Sequence, residues 1–260
     1  IEKKKINKIF YTSSASVYGS IINNKQVNDD NNRILYASTK LLSETLLNNF
    51  CKKNNIQLII GRVFNMYGGN DHSSIVHKLI EAKNKNKKIV IYNNGRSVRD
   101  FIHIDDVCEI YSKCLYIKKS FLFDVGSGYG TKIDDIIKSL KIPLKNISYK
   151  INKINEIDYS IADLSGIKKH IKKNKFLKIE NFLKKKIKSK LKNYKFSKIE
   201  KEYPNTIQDS FNSSVIYGCG FAGKESAKKI IKKNYNNISF FVDDNPNLIG
   251  KKFLGKKNCF

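Results

Sequence analysis

Tyr36 and Lys40 stand four residues apart, and Ser14 precedes Tyr36 by 22 residues. On a helix, positions i and i+4 share a face, so one small molecule could meet the phenol and the ammonium together. A free phenol titrates near pH ~10 and is a poor base in neutral water. An ammonium beside it favours the phenolate. The pair then suits a general base toward an alcohol, and a general acid in the reverse direction. A serine hydroxyl at the same oxygen would stabilise developing charge. Taken singly, each residue has a simpler reading: Tyr36 as a helix-surface tyrosine, Ser14 as a turn residue.

The surrounding pattern supplies elements to hold these groups. Lys8-Ile9-Phe10-Tyr11-Thr12 reads as a buried strand that delivers Ser13 and Ser14 at its carboxyl end. Open α/β sheets bind ligands at that end. Residues 20–35 are polar and are expected to form a surface loop. Residues 36–54 read as a helix, with Leu41, Leu42, Leu46, Leu47 and Phe50 as its apolar stripe. Leu58-Ile59-Ile60 follows as a short buried strand, which gives a βαβ step. Further on come a helix over Ser74–Lys85, strands over Lys88–Tyr92 and 121–125, and a helix over Lys132–Leu140. Asp105 or Asp106 is placed to cap a helix through Val107, Ile110, Tyr111 and Leu115, and Thr131 to cap the one after it. Phe182, Leu183, Ile187, Leu191 and Tyr194 have the spacing of one amphipathic, lysine-rich helix. A basic helix lying on a membrane surface is the lesser alternative, because no aromatic belt accompanies it.

Five motifs in order give these residues a context. Ser13-Ser14-Ala15-Ser16-Val17-Tyr18-Gly19 with Tyr36-Ala37-Ser38-Thr39-Lys40 resembles the extended short-chain dehydrogenase/reductase family, specifically its NAD-dependent nucleotide-sugar epimerases and dehydratases. Gly61–Gly68 resembles that family's Arg-x-Phe-Asn-x-Tyr-Gly segment, and Gly95–Val107 its Arg-Asp-Phe-x-His/Tyr-Val-x-Asp-Val segment. Phe123–Gly128 and Ala162–Ser165 resemble two more. A lone Tyr-x-x-x-Lys is weak, whereas five motifs in register over about residues 6 to 194 are specific. The resemblance implies a catalytic triad of Ser14, Tyr36 and Lys40, with NAD (or NADP) held by Ser13, Tyr36, Lys40 and Phe64. It also implies a nucleotide-sugar substrate bound by Asn65, Arg99 and Lys153. Where the family often has a second phosphate-binding arginine, Lys153 offers a point charge. His103 is expected to be structural. The 4,6-dehydratases follow the position of Ser14 with an Asp-Glu pair that performs the elimination. Here Ala15-Ser16 stands instead, which favours epimerisation by transient oxidation at sugar C4, in the supply of cell-surface polysaccharide sugars. A 4,6-dehydratase or 4-reductase, or a non-catalytic nucleotide-sugar-binding scaffold, are the alternatives.

Residues 196–213 read as a linker, and a new unit opens after it. Ser214-Val215-Ile216-Tyr217 is a strand entering Gly218-Cys219-Gly220-Phe221-Ala222-Gly223, with a helix over Lys224–Lys233 and a second strand, Ile238–Val242, ending in Asp243-Asp244. This GxGxxG has the strand–turn–helix–strand–acid context that a dinucleotide fingerprint requires. Gly218, Gly220 and Gly223 would allow the tight turn, the approach of a pyrophosphate and helix–strand packing, and Asp243 would accept from a ribose hydroxyl. The segment resembles the nucleotide-binding domain of nucleoside-diphosphate-sugar dehydratases of polysaccharide biosynthesis. A βαβ unit that packs and binds nothing is the plainer reading.

The expected architecture is therefore α/β. Residues 1–195 would form the carboxyl-terminal part of a Rossmann-like doubly wound parallel sheet with a small α+β substrate-binding part. Residues 214–260 would begin a second Rossmann-like βαβ unit. By the family's pattern, a GxxGxxG half is expected before Ile1, which makes the 260 residues a piece of a longer enzyme.

The formal net charge of +27 invites a nucleic-acid partner. Only Arg33, Arg62, Arg96 and Arg99 among the 50 basic residues are arginines. Lysine here is the default solvated surface residue of a composition rich in Lys, Asn and Ile, so no specific nucleic-acid partner is expected. Where lysine is the default, a retained arginine suggests a need for its planar fork. The five cysteines lack CxxC spacing, so neither a zinc site nor a disulfide framework is expected, and the setting reads as cytoplasmic. No apolar run spans a membrane. The family resemblance implies a homodimer formed through the helix that bears Tyr36 and the one before it.

Overall fold

Ile9, Phe10 and Tyr11 are buried in succession, which is what a parallel strand covered on both faces demands. The computed structural model describes residues 6–22, 31–68, 74–151, 158–173, 175–188, 214–217, 238–242, 252–253 and 256–257. In chain order the elements are β1 (Lys8–Ser14), α1 (Ser16–Ile22), α2 (Asn31–Lys53), β2 (Gln57–Val63), β3 (Asn65–Tyr67), α3 (Ile75–Asn84), β4 (Ile89–Tyr92), β5 (Val98–His103) and α4 (Ile104–Cys114). They continue with β6 (Phe121–Val125), β7 (Gly130–Lys132), α5 (Ile133–Leu140), β8 (Ile147–Lys150), β9 (Tyr159–Ser160), α6 (Ser165–Lys168) and α7 (Ile179–Lys188). Then come β10 (Ser214–Tyr217), β11 (Ile238–Val242) and the two-residue strands β12 (Lys252–Phe253) and β13 (Lys256–Lys257).

The main sheet is parallel, in the order β11-β10-β1-β2-β6. Ile9, Tyr11, Leu58 and Ile60 pack with Cys51 on the α2 side. Phe10, Ile59 and Phe123 pack with Val107 and Ile110 of α4 on the other. Successive residues of a strand face opposite sides, so one short sequence feeds both layers. A second core joins α3, α5 and α7 around Leu79, Ile136 and Leu183. Beside it, β5 pairs with β3 and β9 in parallel and with β7 antiparallel. This is the smaller α+β part. The fold is thus α/β with a Rossmann-like parallel sheet.

Three local expectations need correction. The loop expected over 20–35 is helical at both ends: α1 reaches Ile22 and α2 begins at Asn31. Its polar composition hid the fact that an established helix gains one hydrogen bond for each residue added. Asp105 and Asp106 do not cap α4. The helix starts at Ile104, and the His103 imidazole caps it, its Nδ1 accepting from the Asp105 amide at 3.1 Å. The two acids fall in the first turn, where the helix dipole favours them. Thr131 does not cap α5 either, because β7 runs on through Lys132 to pair with Val98. The apolar face of α7 is not laid on a surface: Ile179 and Leu183 are buried and Phe182 packs on them. Leu191, Tyr194 and the expected linker lie outside the described residues.

Candidate functional site

The carboxyl ends of β1, β2 and β6 are laced together where the site is expected. The Ala15 amide donates to the Val63 carbonyl at 2.9 Å, and the Phe64 amide to the Val125 carbonyl at 3.0 Å. α2 lies over this end and divides its residues by face. Ala37, Lys40, Glu44 and Cys51 are buried, whereas Leu35, Leu42, Leu46 and Phe50 are exposed. The five-residue stripe read from the sequence therefore splits: Leu47 joins the core, and Leu42, Leu46 and Phe50 face outward.

Lys40 is the pivot. Its side chain is buried, with Nζ 5.7 Å from the centre of the Tyr36 ring and 5.4 Å from that of Tyr11. Tyr36 is 49% exposed, and its ring faces the ammonium. Tyr11 is two residues before Ser13 and shares its strand face. Ser13 is buried, and its Oγ has no hydrogen-bond partner among the described residues. Ser14, the last residue of β1, accepts at Oγ from the Ser16 amide (3.2 Å) and the Ser16 hydroxyl (3.0 Å). With its oxygen so engaged, the Ser14 hydroxyl has its own proton to offer.

Glu44 extends the Tyr36–Lys40 series by one more helical turn. It receives Arg62 as a two-point fork, Nε to Oε1 at 3.0 Å and Nη2 to Oε2 at 2.6 Å. This pins the reactive face of α2 to β2. The guanidinium also lies 4.8 Å from the centre of the Tyr18 ring. Tyr18 donates to Asp124 Oδ1 at 2.5 Å, and the Asp163 amide to its Oδ2 at 3.0 Å. Burial, and then the Asp124 bond, push the Tyr18 phenol up; burial also pushes the Asp124 carboxyl up. The shared proton therefore stays on Tyr18. Sequence reading missed this Glu44–Arg62–Tyr18–Asp124 chain, although the spacing Tyr36, Lys40, Glu44 signalled it.

The residues expected to bind substrate gather on the second sheet. Asn65 pairs with Phe101, and its Nδ2 donates to the Asp100 carbonyl at 3.2 Å. Arg99 is half-buried, with Nη1 donating to the Val98 carbonyl at 3.0 Å. Its neighbour Asp100 is fully buried and accepts from the Ser127 amide and hydroxyl, the Gly128 amide and the Ala162 amide. Phe64 is buried, its ring 6.4 Å from that of Tyr18. His103 is wholly buried between Tyr67 and Phe182. Gly68, at φ 89°, passes so close to its imidazole that a Cβ there would collide with it. Lys153, Gly218, Gly220, Gly223 and Asp243 lie outside the described residues. No metal-binding cluster and no helix long and apolar enough to cross a membrane occur among the described residues.

Ser13 also tests the fit of a dinucleotide. A buried hydroxyl without a partner among the described residues, an ammonium beside the same strand face and a half-exposed tyrosine suit a ribose and a reacting alcohol. The residues present fit the group.

Comparison with known proteins agrees. Residues 1–120 match the NAD dependent epimerase/dehydratase family. The chain is 33% identical over 156 residues to the ADP-L-glycero-D-manno-heptose-6-epimerase of Brachyspira hyodysenteriae, covering 56% of this chain and 49% of that one. It is 29% identical over 161 residues to the dTDP-D-glucose 4,6-dehydratase of Dictyostelium discoideum, covering 56% and 36% respectively. This chain thus spans half or less of the length of those two relatives. Among solved structures, it resembles the UDP-glucuronic acid 4-epimerase of Bacillus cereus in complex with UDP-glucuronic acid and NAD. That match has a TM-score of 0.59 and 25% identity, over 70% of this chain and 61% of that one. Over residues 1–120 the chain is therefore similar to the NAD dependent epimerase/dehydratase family.

Proposed function

We propose that this chain is the catalytic part of an NAD-dependent nucleotide-sugar epimerase that oxidises a sugar hydroxyl, lets the ketone turn over, and reduces it on the other face. The observation that carries the reading is the buried Lys40 ammonium 5.7 Å from the centre of the half-exposed Tyr36 ring. Bound NAD supplies the hydride acceptor and donor. Tyr36 takes the hydroxyl proton and returns it. Lys40 lies beside the ring of that phenol and, with Ser13, would hold the nicotinamide ribose. Ser14 donates to the reacting oxygen, since its own oxygen is occupied by Ser16. Phe64 would contact the nicotinamide, Asn65 and Arg99 would hold the sugar nucleotide, and Lys153 would add charge at its diphosphate. An arginine fork suits a diphosphate. The alternative ion pair of Arg99 with Asp100 finds no support, because both Asp100 oxygens accept other donors.

The 29% identity to a 4,6-dehydratase keeps that reading in play. Against it, Ser16 stands where an acid would be needed, and its hydroxyl bonds Ser14. The exposed row Leu35, Leu42, Leu46 and Phe50 on α2 suits a homodimer. Cys51, Cys108 and Cys114 are buried and form no disulfide among the described residues, which suits a reducing, cytoplasmic setting.

Product analysis tests the reaction. The complete gene product is given a panel of UDP- and dTDP-sugars with NAD. Interconversion of C4 epimers supports the reading, whereas accumulation of a 4-keto-6-deoxy sugar would replace it with the dehydratase.

A further inference from the structure

Three residues stand in register across the carboxyl end of the main sheet. Arg62 of β2 is opposite Ser13 of β1 and, on its other side, opposite Asp124 of β6. Strand side chains alternate between faces, and Leu58 and Ile60 pack on the α2 side, so Arg62 points there too. Glu44, one turn beyond Lys40 on α2, takes its fork. The guanidinium lies against the Tyr18 ring, and Tyr18 donates to Asp124. The other Asp124 oxygen accepts from the Asp163 amide at 3.0 Å, and the preceding amide, that of Ala162, donates to Asp100 at 3.2 Å. Asp100 adjoins Arg99 on β5. Gly126 lets this bridge close, because a Cβ there would collide with Ala162 and Asp100. An unbroken run of contacts thus joins the Tyr36–Lys40 helix, on the main sheet, to the strand of the second sheet that carries Arg99.

We propose that Glu44, Arg62, Tyr18 and Asp124 are positioning residues, which hold the proton-transferring Tyr36 and the diphosphate-binding Arg99 at one fixed separation. This rests on the epimerase reading and adds how its two working ends are kept in register. Three observations support it. First, the run is shielded from water: Glu44, Asp124 and Asp100 are buried, and the Arg62 side chain is 12% exposed. Second, its contacts are directional. A two-point guanidinium–carboxylate fork fixes a plane as well as a distance, and both oxygens of Asp124 and of Asp100 are engaged. Third, the run ends at both working groups. Glu44 continues the Tyr36–Lys40 series on α2, and Asp100 is the sequence neighbour of Arg99. In a nucleotide sugar the diphosphate and the reacting carbon belong to one molecule, so a shift of Arg99 relative to Tyr36 misplaces the hydroxyl. A misplacement of about 1 Å can cost roughly 10²-fold in rate.

The decisive experiment is kinetic, on the complete gene product with NAD and the member of the UDP- and dTDP-sugar panel that the wild type converts. Arg62→Lys keeps the charge and removes the fork, whereas Tyr18→Phe keeps the ring and removes the bond to Asp124. Both are assayed well below their melting temperatures, with circular dichroism as the folding control and calorimetric titration of UDP as the binding control. We expect kcat to fall about 10- to 10²-fold in Arg62→Lys and less in Tyr18→Phe, with KM and UDP affinity held within about twofold. In a Tyr36→Phe background, Arg62→Lys should lower kcat little further, because groups that act as a unit are not additive. If Arg62→Lys does not fold, Tyr18→Phe decides by the same readouts. A folded variant with wild-type kcat, a UDP affinity that falls in step with kcat, or losses that multiply with that of Tyr36→Phe would each overturn the inference and leave the epimerase reading standing. A wild type that converts no sugar nucleotide would overturn both.

Discussion

Two buried polar regions sit a few strands apart and behave in opposite ways. Around Asp100 every carboxylate oxygen is used: Ser127, Gly128 and Ala162 all donate to it. At the end of β1, Ser13 is buried as deeply, yet its hydroxyl meets no described protein group. Beside it, Tyr36 is left half in solvent. Burying a polar group without a partner costs free energy, and a ligand that met the Ser13 hydroxyl would recover that cost. Asp100 binds the protein to itself, whereas the Ser13–Lys40–Tyr36 region is the one we propose takes a ligand. Both sets of residues fall in sequence motifs, and only the hydrogen-bond accounting separates them.

The contrast breaks first at Tyr36. Tyr36→Phe should lower turnover roughly 10²- to 10⁴-fold, the usual worth of a positioned acid–base group, with UDP affinity and melting temperature unchanged. A matching fall in melting temperature would move Tyr36 into the structural class. Asp100→Ala should act the other way round. It strands buried backbone amides and should cost about 3 kcal/mol or more of stability, read as a lower urea midpoint. Ser13→Ala sharpens the comparison, because no side-chain hydrogen bond to a described residue is lost. Stability should stay within about 0.5 kcal/mol, while NAD binding weakens by about 1 kcal/mol, roughly fivefold. Equal losses of stability for Asp100→Ala and Ser13→Ala would erase the distinction.

The smallest effect concerns the ion pairs that tie the segment before α7 to α4. Lys173 Nζ lies 2.8 Å from Asp106 and 2.6 Å from Glu109, and Lys113 lies 2.7 Å from Glu109. Burial opposes charge on Glu109, but the Lys113 and Lys173 ammoniums prevail and hold its carboxyl below the usual range. A lowered carboxylate adds stability that is present above its ordinary titration range and is lost as pH falls through the folded-state value. Melting temperature should therefore drop on acidification below about pH 4, and Glu109→Gln should flatten that part of the curve. An unchanged slope in the variant would remove Glu109 from the acid response.

The sequence revealed the main strands because their burial is two-sided and continuous: Ile9-Phe10-Tyr11 and Leu58-Ile59-Ile60 both read as core. It revealed Tyr36 and Lys40 because i, i+4 spacing survives any change of context. It hid the start of α2, where Asn-rich composition imitates a loop. It also hid what the arginines do. Arg62 does use the planar fork that its retention suggested, but on Glu44 within the protein. His103 was expected to be structural; its task as the cap of α4 depends on a contact between neighbours. The pairing of β10 with β1 lies furthest from the sequence, since it joins segments about 200 residues apart. No local periodicity encodes that.

The central claim is proton exchange between Tyr36 and a sugar hydroxyl beside NAD. A single-turnover experiment tests it most directly: the complete gene product, loaded with NAD, is mixed with its nucleotide sugar while NADH absorbance is followed. The account predicts a rapid rise in the wild type and its near disappearance in Tyr36→Phe, with the sugar nucleotide still bound. A rise of equal rate in Tyr36→Phe would contradict it.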